Sequence, residues 1–153
     1  MPSDGPSDFF HPSDVTGSLP IALLRARESV MQRFRPMLAS HGLTEQQWRV
    51  LRTLGAHAEL EVSQLAERSV ILGPSLSRIL RNFESQGLVK KRQDEADRRR
   101  YWLSLSEEGR AVIARVQPDS ERIYAEIEAV LGAEAMRKMV GELNAITDRL
   151  RLD

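Results

Sequence analysis

From Val62 to Ser106 the hydrophobic spacing of the chain switches from a helical period to a strand period, and the order of the pieces leaves few architectures open. Ser63 caps a short helix running to about Ser69, with Leu65 and Ala66 turned inward. Val70-Ile71-Leu72 is a turn, and it leads into Gly73-Pro74. Proline suits the first turn of a helix because its missing N–H would have gone unsatisfied there. In the helix that follows, Leu76, Ile79, Leu80 and Phe83 make one buried stripe, which leaves Pro74, Ser75, Ser77, Arg78, Arg81 and Asn82 on the outer face. Gly87 supplies a left-handed stop. Leu88 to Arg92 and Tyr101 to Leu105 then carry strand-favouring residues on either side of a polar loop, Gln93 to Arg100, and so predict a hairpin.

Two short helices crossing steeply need a small residue at closest approach, and Ala66 stands there. The stretch therefore reads as a helix-turn-helix followed by a β hairpin, a winged helix-turn-helix. Its charge points to the partner. Between Arg68 and Arg100 nine basic residues face four acidic ones, a local excess of +5, although the whole chain has a net charge of zero. Positive charge gathered around one helix and one loop is the footprint of a polyanion-binding surface. Short hydroxyls at Ser75 and Ser77 let the backbone approach bases and phosphates. Arg78, with Arg81 a turn further on, can reach guanine N7 and O6 or a phosphate. In the hairpin loop, Asp97-Arg98-Arg99-Arg100 places arginines where they can enter a minor groove, with Asp97 able to brace one of them.

The flanks are helical. Pro20 to Leu38 carries Leu23, Leu24, Val30, Met31, Phe34 and Leu38 on one stripe, with Arg27 at its centre. A guanidinium there needs a partner, either the carboxylate of a ligand lodged beside Met31, Trp48 and Arg49, or a glutamate across a subunit interface. Pro36 is expected to kink the last turn. After the His41-Gly42 break, Thr44-Glu45-Gln46-Gln47 is a capping box, with Leu43 and Trp48 as its hydrophobic staple, and Leu51 and Leu54 continue the core side. Gly55 to Glu61 is a loop with room for a short strand at Leu60-Glu61-Val62. Ser106-Glu107-Glu108 opens a long helix with stripe residues Val112, Ile113, Val116, Ile123, Ile127, Val130 and Leu131, which Pro118 should kink and Gly132 should end. A last helix carries Met136, Met139, Val140, Leu143, Ile146 and Leu150. These stripes exceed what the small central lobe can cover, which predicts an α-helical homodimer interface.

The remaining readings are exclusions. The 153 residues contain no cysteine, so disulfides and thiolate metal sites are out. His11, His41 and His57 do not have the spacing of a metal cluster, and no cofactor motif is present. No apolar run approaches the ~20 residues that span a bilayer, and the expected location is cytoplasmic. There is no nucleophile elbow or phosphate loop, so an enzyme is not expected. Met1 to Leu19 repeats Pro-Ser-Asp three times and reads as a flexible arm, with Phe9-Phe10 able to pin it to a partner subunit.

The run Asp97-Arg98-Arg99-Arg100-Tyr101-Trp102-Leu103-Ser104-Leu105-Ser106-Glu107-Glu108-Gly109, with Leu76-Ser77-Arg78, Phe83-Glu84 and Gly87-Leu88-Val89, resembles the wing and recognition helix of the MarR family of bacterial transcription regulators. The likeness extends over nearly the whole chain after the arm. It implies that Arg99 is the minor-groove residue, that Asp97 is its brace, and that Ser75, Ser77 and Arg78 are major-groove contacts. Phe83 stands where that family more often has leucine. Leu23 to Glu28, Phe34-Arg35-Pro36 and His41 to Arg52 resemble the branch that represses homoprotocatechuate (4-hydroxyphenylacetate) degradation operons, which implies release from DNA by an aromatic carboxylate.

The expected protein is thus mainly α, with a flexible arm at 1–19, a helical dimerisation and linking region at 20–56 and 106–153, and a winged helix-turn-helix lobe at 57–105. Its partners would be a pseudo-palindromic duplex, a second copy of itself and an aromatic acid. The alternatives are a MarR-like regulator of efflux or stress genes with a different effector, or a winged-helix module that binds protein.

Overall fold

The computed structural model describes residues 17–151; residues 1–16 of the expected arm, with Phe9, Phe10 and His11, lie outside the described residues, and Leu19, read as the arm's last residue, already opens the first helix. The element order is α1 (Leu19–Ser40), α2 (Glu45–Gly55), β1 (Leu60–Glu61), α3 (Val62–Ser69), α4 (Gly73–Ser85), β2 (Val89–Gln93), β3 (Tyr101–Leu105), α5 (Glu107–Leu131) and α6 (Ala133–Leu150). The short strand expected before α3 is present and joins the hairpin. It makes a three-stranded antiparallel sheet in the order β1-β3-β2, with Leu60 opposite Leu103 and Val89 opposite Leu105.

Local chemistry explains most boundaries. At α2 the capping box is formed, with the Gln47 amide donating to the Thr44 hydroxyl at 3.1 Å and the Thr44 amide donating to the Gln47 side chain at 2.9 Å. Gly42, Gly87 and Gly132 end their helices with positive φ. Ser63 is not the cap of α3. The helix begins at Val62, and the Gln64 side chain instead accepts from the Glu61 amide at 3.1 Å, because Glu61 is already held extended in β1. Pro36 and Pro118 both lie within continuous helices.

One core joins the elements. Leu51, Leu54, Leu65, Leu76, Phe83 and Leu103 are almost fully buried, and Phe34, Leu38, Val116 and Ile123 extend the cluster along α1 and α5. The α1 stripe is only partly covered. Phe34 and Leu38 are buried, while Leu23, Leu24 and Val30 remain exposed. In α6 no residue is buried, and Met139, Val140, Leu143 and Leu150 face solvent with Val130 and Leu131 of α5. Helices with apolar faces this open, placed at both ends of the chain, are left for a second copy to cover.

Candidate nucleic-acid interface and effector cavity

The outer face of α4 is set by what its inner face buries. Leu76, Ile79, Leu80 and Phe83 anchor the helix, so Pro74, Ser77, Arg78, Arg81 and Asn82 project outward. Ser75 is partly buried. On α3, Leu65 is buried and Ala66 packs, partly buried, against the core. No ion pair or hydrogen bond within the chain engages the Arg78 or Arg81 guanidinium among the described residues, and both are available to a partner.

The wing is ordered by two aspartates. Asp94 Oδ1 accepts from the amides of Ala96 and Asp97 at 2.9 and 2.8 Å, and Oδ2 accepts from the Trp102 indole at 2.8 Å. Asp97 accepts from the Arg99 amide at 3.0 Å and holds its guanidinium through two bonds of 3.1 Å. Both carboxyls lie below the usual aspartate range, Asp94 chiefly through the Trp102 indole and Asp97 chiefly through the Arg99 side chain. The Arg99 side chain nevertheless remains 90% exposed.

The three arginines of the loop therefore differ. Arg98 is exposed, and its carbonyl accepts from the Gln93 side chain at 2.7 Å. Arg100 turns back to pair with Glu61 and lies over the Trp102 ring, 5.9 Å from its centroid. Arg92 pairs with Glu59 at 2.7 Å. Asp94 was not singled out from the sequence, although an aspartate opening a polar loop is an Asx-turn signal.

A second constellation lies between α1, α2 and α5. Glu45, in the first turn of α2, pairs with Arg27, bonds Arg35 Nε at 3.1 Å and stands 4.0 Å from Arg49. The partner of Arg27 is thus a glutamate of its own chain, a third possibility beside the two its spacing suggested. Arg27 is also not sunk in an apolar stripe, its side chain being 45% exposed. Arg49 differs: its Nε is buried and has no hydrogen-bond partner among the described residues. Burial and the nearby Arg27 charge push its guanidinium below the usual arginine range.

These groups line a cavity of about 330 Å³ with Met31, Trp48, Arg52 and Tyr124. Trp48 belongs to the core and walls the cavity at once. Phe34 packs edge-on against Tyr124 at 5.0 Å, closing one side. A neighbouring cavity of about 700 Å³ between α2 and α5 shares Trp48, Arg52 and Tyr124 and adds Arg110 and Gln117. Sequence reasoning named Arg27, Met31, Trp48 and Arg49, and the structure brings all four to the smaller cavity. It missed Glu45, read only as part of a capping motif, as well as Arg52 and Tyr124, whose places depend on how α2 and α5 pack.

The profile of the MarR family matches residues 41–100. The chain is 44% identical over 122 residues to the homoprotocatechuate degradative operon repressor of Escherichia coli, spanning 80% of this chain and 82% of that one. Among solved structures, NadR in complex with 4-hydroxyphenylacetate superimposes with a TM-score of 0.79 at 34% identity, covering 93% of this chain and all of NadR. The repressor CouR bound to a 23-mer DNA duplex gives 0.78 at 27% identity, covering 90% of this chain and 98% of CouR. These relatives are transcription regulators and not enzymes, and no helix among the described residues is long and apolar enough to cross a membrane.

Proposed function

Since the chain belongs to the MarR family, we propose that it is a dimeric repressor of an aromatic-compound catabolic operon, released from its operator by an aromatic carboxylate, and that it works in the cytoplasm. The winged lobe, residues 57–105, carries the DNA contacts, and residues 20–56 and 106–153 form the dimer and the link to it. Ser75, Ser77, Arg78 and Arg81, with Pro74 at the helix entry, meet the major groove. Arg98 and Arg99 reach the minor groove, Asp97 bracing Arg99. Arg100, tied to Glu61, contributes its charge from the base of the wing. Two copies of α4 would enter successive major grooves about 34–36 Å apart on a pseudo-palindrome.

The observation that supports the effector reading is the unpartnered Arg49 Nε. A buried donor without an acceptor is costly, and a ligand carboxylate beside Arg27 and Arg49 would satisfy it. Trp48 and Tyr124 offer aromatic walls, and about 330 Å³ suits a single-ring acid. The ligand bound by the structural relative NadR, 4-hydroxyphenylacetate, is an acid of this class. Its release of DNA requires tighter binding to a dimer whose wing spacing the operator cannot accept.

The test is a gel shift of the purified protein on duplexes recovered from a random pool, across a salt series, repeated with a panel of aromatic acids. Binding that falls steeply with salt and is reversed by one of the acids supports the proposal. Salt-independent binding, or binding indifferent to every acid, overturns the corresponding half.

A further inference from the structure

The turn entering α4 breaks two local rules at once. Val70 has a φ of 53°, the left-handed region in which a branched Cβ crowds the backbone. Leu72 stands at the N-cap of α4, where Ser, Thr, Asp or Asn would accept a backbone N–H and where leucine makes no such bond. Both side chains are turned outward, 76% and 81% exposed, while Ile71 between them is buried. They are the most exposed large hydrophobic residues among those described. The others, such as Leu24, Val130 and Val140, lie on the open faces of α1, α5 and α6, and the turn belongs to none of those faces. At Val70 the left-handed turn closes α3, the Val70 amide donating to the Glu67 carbonyl at 3.2 Å and the Ile71 amide to the Ala66 carbonyl at 3.1 Å, and it seats Ile71 in the core. The outward Leu72 side chain has no such structural return, and a residue that breaks a local rule with no gain in packing marks a position held for function.

The surroundings of Leu72 say what it meets. Pro74, Ser77 and Arg78 share its end of α4 and are exposed, and no acidic residue occurs between Glu67 and Glu84. A duplex presents one apolar group on its base edges in the major groove, the C5-methyl of thymine. Against a phosphate or the amino edge of cytosine, an exposed leucine only strips water from polar groups. Against a thymine methyl it buries apolar surface on both sides.

We infer that Leu72 is a specificity-determining residue that packs on the C5-methyl of one thymine in each half-site, with Val70 screening the contact from water. This rests on the reading of α4 as the DNA-contacting helix. It adds an apolar selection for thymine to the polar readout expected of Ser77 and Arg78.

The experiment uses the full chain and a duplex recovered by in vitro selection, with single thymines replaced in turn by uracil, which removes the methyl and keeps every hydrogen bond. Fluorescence anisotropy should find one symmetry-related pair of thymines whose replacement weakens wild-type binding by about four- to tenfold. Leu72→Ala should show a similar loss on the thymine duplex and no further loss with uracil at that pair, whereas Leu72→Met should keep most of the discrimination. Wild-type binding indifferent to uracil at every position overturns the inference. So does a Leu72→Ala protein that still distinguishes thymine from uracil as wild type does. Failure of the wild-type protein to recover any duplex would instead remove the DNA-contacting reading beneath it.

Discussion

Asp97 holds Arg99 by both ends, its carboxylate taking the guanidinium through two bonds of 3.1 Å and the backbone amide of the same residue at 3.0 Å. At an exposed site such a pair adds little to stability. What it does is fix the direction of a side chain that stays 90% exposed. Arg99→Ala should therefore lower operator affinity by about tenfold and reduce the salt slope, while the dimer and its melting temperature stay unchanged. Asp97→Asn should give a smaller loss with the charge count in favour of binding, because direction is lost and charge is not. Gel shifts across a salt series, with light scattering for the dimer, distinguish the two.

The wing should be insensitive to pH over the neutral range and fail only in acid. Asp94 is held below its ordinary value by the Trp102 indole first and then by the Asp97 and Ala96 amides. A carboxyl lowered on folding contributes order that is present above the unfolded value of about 3.9 and is lost as pH falls through the lower folded value. Asp97 shifts in the same direction, through Arg99. Trp102 emission should be flat from neutral pH down to about 4 and change below it. Asp94→Asn should change emission already at neutral pH, and an unchanged spectrum would count against Asp94 as the organiser of the loop.

Gly109→Ala should destabilise the protein by about 1–3 kcal/mol, since interior overpacking costs that much. A Cβ at Gly109 would run into the Leu88 carbonyl oxygen, with Leu105 Cδ2 3.1 Å away. Backbone cannot step aside as a flexible side chain can. A denaturant midpoint measured at fixed protein concentration checks this, and Gly141→Ala, with open space around it, serves as the control.

In the cavity proposed for the effector, Arg49→Ala should weaken binding of the best aromatic acid by at least tenfold, the scale of a lost charge-assisted hydrogen bond. Glu45→Gln should act differently: it frees Arg27 and Arg35 from their shared carboxylate and should strengthen binding of an anion. Calorimetry on both variants reads the two signs. Equal affinity in Arg49→Ala would remove Arg49 from the site.

How legible all this was depended on the range of the forces involved. The capping box at Thr44, the stop at Gly87 and the buried stripe of α4 are local, and sequence spacing located them correctly. A bond from Asp97 to one of the loop arginines is just as local, although spacing left open which one and the family resemblance pointed to Arg99. Glu45 gathering Arg27, Arg35 and Arg49 was not readable, because it depends on the crossing of α1 and α2. Nor was the left-handed conformation of Val70, since no propensity places a branched residue there. Ser63 was mistaken for a cap because its hydroxyl is a good one in isolation, and the pairing of Leu60 with Leu103 moved the start of the helix upstream.

Ser106 joins three parts of the fold through a few atoms. Its hydroxyl donates to the Gly87 carbonyl at 2.6 Å and accepts from the Gly109 amide at 3.0 Å, and its own amide donates to the Leu88 carbonyl at 3.0 Å. The exit of α4, the root of the hairpin and the first turn of α5 are therefore pinned at one pivot. With 25 residues, α5 is about 37 Å long and borders both cavities further along. Along that length a tilt of a few degrees at the end beside Tyr124 would move the reading head by ångströms and not by fractions of one.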